Sequence, residues 1–295
     1  MRALLLSAAV LLAAAASPAL AADDLTALSD EFDGTALSSD WKVFHETYGW
    51  PDKVKALDVG ETTPGALHVE PYDVAWVRDL VGPFWFKEVV GDFDVRARVR
   101  VRGKDGPIPG GTWSLGGLFA RTPNRNTAAE WQPFRENWQF ITTGVGQVAG
   151  EQMFETKATY NSFSSLKLRP APTGWVELRM VRVGMAIVVL AREDGGEWQV
   201  RDRFYRMEGR PHMQVGLVAY TSSPDVDDSG PENPVIINTG LNTEARVDMV
   251  LEVDWIRFAR PKLEGPRDWY AQVSGGNPLT DPNLTEAEIL ALVGA

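Results

Sequence analysis

The stretch Glu130-Trp131-Gln132-Pro133-Phe134-Arg135-Glu136-Asn137-Trp138-Gln139 interleaves flat rings with amide, guanidinium and carboxylate groups. That mixture suits a sugar, whose C–H faces stack on aromatic rings while its hydroxyls need hydrogen-bond partners in the plane. Trp131, Glu136, Asn137 and Trp138 are the candidate contacts, on a loop and strand start that lead into an apparent strand through Ile141. Trp113, Trp76 with Arg78, Tyr160, Asn161 and Tyr220 are further candidates on neighbouring strands. The run His45-Glu46-Thr47-Tyr48-Gly49-Trp50-Pro51 is a second aromatic loop. Eleven tryptophans in 295 residues is heavy usage, although large β-sandwiches also need aromatic bulk inside. Trp41, Trp198 and Trp255 are expected in that interior.

Local signatures of catalysis are sparse. The three histidines, His45, His68 and His212, are scattered; His68 sits in an alternating strand and His212 follows Pro211 in a turn. A Ser-His-Asp arrangement has no nucleophile elbow to support it. The string Asp225-Val226-Asp227-Asp228-Ser229-Gly230 imitates the start of a calcium loop, with oxygens at positions 1, 3 and 5 and Gly at 6. Position 12 is Ile236, where a bidentate Glu is required. The string reads as an acidic surface turn.

Residues 1–21 have the pattern of an export signal: Arg2, an apolar run from Ala3 to Ala16, and the small-x-small site Ala19-Leu20-Ala21. The apolar run is shorter than the roughly 20 residues that span a bilayer. Cleavage after Ala21 leaves 274 of 295 residues, enough to bury a core without staples. Cysteine is absent from the sequence, which removes disulfides, thiolate metal sites and a thiol nucleophile. A bacterial periplasmic or secreted protein is the expectation. The signal carries one of the 29 Lys+Arg and none of the 40 Asp+Glu, so the mature chain has 28 against 40, a net of −12. Such a surface argues against nucleic acid or anionic headgroups. It suits a neutral glycan, and a polyanionic polysaccharide only where a local basic cleft exists.

The elements that must position these groups are strands. Residues 93–101 alternate apolar and charged positions, so one face packs and one stays wet. Residues 175–183 continue through a turn at Val183-Gly184-Met185 into 185–191, and 197–201 pairs back across Glu193-Asp194-Gly195-Gly196. Residues 215–220 and 247–258 are two more strands. Glycines at Gly116, Gly117, Gly144 and Gly146 lie in strand-like stretches, where a bulge or close backbone approach is the usual cause. Many short strands predict an all-β, two-sheet antiparallel sandwich. It occupies residues 22–262, followed by an extension, 263–295, with loop-like Gly265-Pro266 and Gly275-Gly276-Asn277-Pro278. The extension ends in a short helix with the capping box Thr285-Glu286-Ala287-Glu288 and an apolar side of Ile289, Leu290, Leu292 and Val293. So short a helix is marginal alone, and docks on its own domain or on a protein partner.

Two phrases bracket the domain: Ser29-Asp30-Glu31-Phe32-Asp33-Gly34-Thr35 with Trp41, and Val253-Asp254-Trp255-Ile256-Arg257-Phe258 before Pro261. They resemble the opening and closing strands of the concanavalin A-like lectin/glucanase superfamily, a two-sheet jelly roll. Gly91-Asp92-Phe93-Asp94-Val95, Gly117-Leu118-Phe119-Ala120-Arg121 and Gly216-Leu217-Val218-Ala219-Tyr220 extend the resemblance over most of residues 29–260. They are similar above all to a bacterial branch of uncharacterised domains also found attached to xylosidases. The resemblance implies a concave sheet face that binds glycans or cuts them, and fold alone does not choose.

Two catalytic branches of the superfamily can be compared. Glycoside hydrolase family 16 carries Glu-x-Asp-x-x-Glu on one strand, and Glu252-Val253-Asp254-Trp255-Ile256-Arg257 is the nearest string here. Retaining hydrolysis needs two carboxylates about 5.5 Å apart, and Arg257 can neither attack nor protonate at neutral pH. Alginate-type lyases of similar fold use a Tyr with a Lys-rich strand and a Gln-x-His strand. Lys157-Ala158-Thr159-Tyr160 echoes the first with one residue too few, and Gln-x-His is absent. Catalytic residues therefore stay unassigned. Glucanases of the superfamily often hold a structural Ca²⁺ through the closing-strand Asp, which implies Asp254 as a ligand; the alternative is that Asp254 hydrogen-bonds the first turn. The reading is an exported, lectin-like carbohydrate-binding sandwich without required cofactor, with a glycan-cleaving enzyme or a protein-interaction module as alternatives.

Overall fold

Alternation along Phe93–Arg102 makes a strand with one dry and one wet face, and a computed structural model carries that pattern through two stacked antiparallel sheets. Residues 24–206, 210–222, 234–263 and 276–295 are described. The export-signal segment 1–21, the Asp225–Gly230 string, Gly265-Pro266 and Gly275 lie outside them.

With strands numbered in chain order, sheet I runs β1 (Lys42–Val43), β4 (Phe84–Val90), β13 (His212–Tyr220), β6 (Ser114–Arg121), β7 (Trp138–Val145), β8 (Gln152–Tyr160) and β9 (Phe163–Pro170). Sheet II runs β12 (Gln199–Tyr205), β11 (Ala186–Glu193), β10 (Val176–Val183), β5 (Phe93–Arg102), β14 (Val250–Ala259), β3 (Leu67–Pro71) and β2 (Val54–Val59). The two ends of the sandwich domain meet as the phrases suggested: Asp30 and Ile256 exchange backbone hydrogen bonds of 2.8 Å each. The Asp30 carboxylate then holds the first turn, accepting from Phe32 N at 2.9 Å and Trp41 Nε1 at 2.8 Å.

Between the sheets the inward positions of β5 (Val95, Ala97, Val99) face Leu118, Ile141, Phe154 and Leu217. Two further apolar layers lie on the outer faces. On sheet I, Phe84, Phe119, Trp138, Phe140 and Tyr220 are covered by Phe44, Tyr48, Trp50 and Trp76. On sheet II, Val181, Val183, Val188, Leu190 and Trp198 are covered by Leu279, Ile289 and Val293 of the C-terminal extension. The helix Glu286–Val293 has the full capping box at Thr285 and Glu288, and buried Arg179 donates to its Val293 carbonyl at 2.5 Å. Ile289 and Val293 of its apolar side are thus packed within the chain, while Leu290 and Leu292 are partly buried.

Turn chemistry explains the hairpins. Gly184, at φ +57°, and Met185 join β10 to β11, with Val183 opposite Ala186. Asn161 and Ser162, at φ +46° and +63°, join β8 to β9 with Tyr160 opposite Phe163. Two consecutive left-handed residues are the type I′ loop that matches strand twist. Gly144 shows why glycine is required inside β7: a Cβ there would lie 2.1 Å from the Ser114 carbonyl oxygen.

Candidate functional site

The outer face of sheet I carries the polar and aromatic side chains that the sequence singled out, but a covering segment decides which of them a ligand could meet. Residues 72–83 run across this face. Val74 exchanges backbone hydrogen bonds with Thr221 beyond β13, and Arg78 N donates to Ser164 Oγ on β9 at 2.8 Å. Between them Trp76 lies fully buried, 4.8 Å from Phe119 and 6.0 Å from Trp138 between ring centroids.

Several expected contacts become interior groups beneath this cover. Trp138 is 0% exposed and belongs to the aromatic layer, because its even-numbered position on β7 faces the covering segment. Trp76 and Tyr220 are buried with it, and so are Tyr48 and Trp50 of the second aromatic loop. Glu136 is buried as well, its carboxylate accepting from Arg121 Nε at 2.8 Å and Nη2 at 2.7 Å. Arg121 also donates to Gln214 and Asn124, and lies over the rings of Phe44 and Tyr48. Burial opposes that cation, but the Glu136 charge outweighs it and holds the guanidinium protonated. Trp138 and Glu136 are therefore corrected from ligand contacts to packing and ion-pair groups.

An ionisable cluster lies at the other end of the same face. Tyr220 Oη donates to Glu155, whose other oxygen is 2.9 Å from Lys157 Nζ. Lys157 also donates to the Trp76 carbonyl at 3.2 Å and sits 5.8 Å from the Trp113 ring. All three are at most 3% exposed. Burial and then the Glu155 charge push the Tyr220 phenol well above its ordinary range, so it stays a neutral donor. Trp113 is half-buried at this end with φ +52°, on the same side of Lys157 as the expected contact Tyr220 and apart from the β8–β9 turn.

The remaining expected residues do meet, at the rim formed by the β8–β9 turn. Asn161 N donates to Asn137 Oδ1 at 3.0 Å, and Ser162 N to the Glu136 carbonyl at 2.9 Å. Arg78 is exposed, with φ +54° at the first central position of the turn closed by Leu80 N and the Val77 carbonyl. Beside it the buried Asp79 carboxylate accepts from Ser162 Oγ and from Phe134 N. Burial raises the Asp79 carboxyl above its ordinary range, against those two hydrogen bonds, and the Glu136 charge adds to the rise. This anchoring holds Phe134 at φ +62°, a left-handed conformation rare for a bulky side chain.

The outcome is an aromatic pair that the sequence did not single out. Phe134 and Phe163 stack with centroids 5.7 Å apart and planes 7° from parallel, yet are 58% and 71% exposed. Tyr160, 52% exposed, occupies the strand position opposite Phe163, and Trp131 is half-buried at the edge of the aromatic layer. Asn161-Ser162 between two alternating runs was the available signal, since a two-residue hairpin loop places Tyr160 and Phe163 side by side.

The first turn is held by Asp30 rather than by Asp254, the residue that the resemblance implied as a calcium ligand. Asp254 is the extra residue at a bulge in β14 and accepts from Arg98 Nη1 at 2.8 Å. Among the described residues there is no group of three His, Asp or Glu side chains that could hold a metal ion. Glu252 is buried on the same strand and bound by Arg100, Arg102 and Thr63. The bulge also turns Trp255 outward, where it is half-buried under Arg257, while Trp41 and Trp198 are interior as expected.

No family model and no curated protein matches the sequence. Solved structures do match. A functionally unknown protein from Saccharomyces cerevisiae shares 13% identity at a TM-score of 0.50, over 76% of this chain and 97% of that one. The GH43 protein BlXynB from Bacillus licheniformis shares 12% at 0.53, over 81% and 40%. Xylan beta-1,4-xylosidase from Bacillus halodurans shares 10% at 0.51, over 79% and 39%. The chain thus spans about two fifths of the length of these two Bacillus proteins. At such identities the likeness is one of fold, and that fold is the concanavalin A-like jelly-roll sandwich.

Proposed function

We propose that this chain is a lectin-like module that binds a neutral glycan on the rim platform of Phe134 and Phe163, and that it works outside the bacterial cytoplasm. The observation that carries the reading is the stacked pair itself: two large rings held parallel and open to solvent by anchored backbone. A sugar ring covering them removes apolar surface from water. Arg78, Asn137, Asn161 and Tyr160 surround the platform with donors and acceptors for hydroxyls. The Bacillus xylosidase that shares this fold over 39% of its length acts on xylan by its name, which makes xylan the first ligand to try. Favouring binding over cleavage, the carboxylates Glu136 and Glu155 on this face are both ion-paired and buried.

The test is a glycan array with the mature chain, 22–295, reading retained ligand and soluble products together. Phe134→Ala and Phe163→Ala should each weaken binding by roughly twofold to tenfold, from a stacking contribution of about 0.5–1.5 kcal/mol. Unchanged affinity in both variants would remove the platform. Released sugar products would instead favour the enzyme reading, with Glu155, Lys157 and Tyr220 as the groups to substitute.

A further inference from the structure

The sandwich is open along one side, between β9 at the edge of sheet I and β12 at the edge of sheet II. A cavity of about 250 Å³ lies there, with Phe154, Pro172, Arg192, Glu193, Glu197 and Arg201 in its lining. Arg201 is the extra residue of a bulge in β12, since Val200 pairs with Leu190 and Asp202 with Val189. A bulge re-aims a side chain, and here it lays the guanidinium 4.7 Å over the Phe154 ring on the sandwich's inside. Arg169 on β9 is the strand partner of Phe154, and its charge acts on Arg201.

Neither cation is satisfied. Arg201 Nε, Arg169 Nη1 and Arg192 Nε are buried donors with no acceptor. Among the described residues, Arg169 and Arg201 donate no side-chain hydrogen bond and form no salt bridge, whereas Arg192 is held by Glu177. The nearby Glu286 carboxylate instead accepts from Val200 N at 2.9 Å. Burial and then the charge of Arg169 lower the Arg201 pKa, and the opposing charge of Glu286 offsets them only in part. Leaving a buried donor unpaired is costly, more so when it is charged. An anion beside Arg201 and Arg169 would supply acceptors for these donors.

We propose that this edge cleft is a second ligand site, which takes the carboxylate of a sugar acid between Arg201 and Arg169. A planar carboxylate matches the guanidinium fork. Glu193 and Glu197 at the solvent-exposed mouth supply acceptors for sugar hydroxyls, and Pro172 gives an apolar wall. The cleft lies along β9 from the aromatic platform, six residues or roughly 20 Å from Phe163, and it does not depend on the platform being a ligand site.

The experiment titrates the mature protein at low salt with D-glucuronate, with D-glucose as its neutral twin and with inorganic sulfate, by calorimetry. Glucuronate should bind and glucose should not. Arg201→Gln and Arg169→Gln should each lower glucuronate affinity at least tenfold, while Phe134→Ala leaves it unchanged. Because each Arg substitution removes one of two neighbouring like charges and a buried donor without an acceptor, both variants should melt no lower than wild type without ligand. Absence of glucuronate binding, or equal binding to the Arg variants, overturns the proposal. Equal affinity for sulfate and glucuronate overturns the carboxylate assignment. A lowered melting temperature in both variants shows the arginines to be structural and also overturns it.

Discussion

Substituting Glu136 by Gln separates the two roles that this residue could have. The structure makes it the counter-ion of Arg121, which is 0% exposed, through two hydrogen bonds of 2.8 and 2.7 Å. Glutamine keeps one acceptor oxygen and removes the charge, so Arg121 remains as a buried cation held only by neutral groups. Breaking a buried pair in this way costs about 3–5 kcal/mol. Asn124 and Gln214 still accept from Arg121, which places the expected loss near the lower end, about 3 kcal/mol. For a domain of this size each kcal/mol shifts the melting temperature by about 2–4 °C, so a fall of roughly 6–12 °C should follow. Urea unfolding and a thermal scan measure both, with Glu130→Gln at an exposed position as the control. Replacing both partners with apolar residues, Arg121→Met with Glu136→Leu, should recover most of the loss, because no charge is then left unpaired. A Glu136→Gln loss below about 1 kcal/mol, together with abolished glycan binding, would refute this reasoning and return Glu136 to the ligand site.

Other consequences can be checked alongside. Trp76→Ala removes a fully buried indole from the covering segment and should cost about 3–5 kcal/mol in urea unfolding. Tyr220→Phe takes a donor from buried Glu155, and a loss of about 1–3 kcal/mol is expected; an unaltered midpoint would mean that the hydroxyl is dispensable. Burial would raise the Glu252 carboxyl, but hydrogen bonds from Arg102, Thr63 and Arg100 outweigh it and lower the carboxyl below its ordinary 4.5. Its ionised form therefore favours folding above that value, and the contribution disappears as pH falls through the lower folded-state value. Wild type should accordingly lose stability on acidification more steeply than Glu252→Gln. Chelator should leave the melting temperature unchanged, because Arg98 holds Asp254; a fall on adding chelator, reversed by calcium, would contradict this.

Much of the architecture was legible from residue order. Alternation along residues 93–101 requires a strand with one dry face whatever surrounds it, because successive side chains point to opposite sides. Turn residues at Gly184 and at Asp194-Gly195 set two hairpins, and the capping box at Thr285 set the last helix. These are local rules, satisfied within a few residues. The same period of two makes Trp138 and Ile141 face opposite ways, but it does not say which face stays open.

That choice belonged to tertiary structure. Residues 72–83, distant in sequence from β6 and β7, lay Trp76 over Phe119 and Trp138 and made an interior of the face expected to hold sugar. Burial then fixed the chemistry: Glu136 became the partner of Arg121, and Glu155 that of Lys157 and Tyr220. The exposed pair Phe134–Phe163 arises only because Asp79 anchors the 134 backbone against the β8–β9 turn. Arg169 and Arg201 likewise meet only because the two sheets bring their edge strands to the same side. The sequence specified which groups were available and how each strand alternates. The packing of one sheet, one covering segment and two edges decided which groups touch each other and which face water.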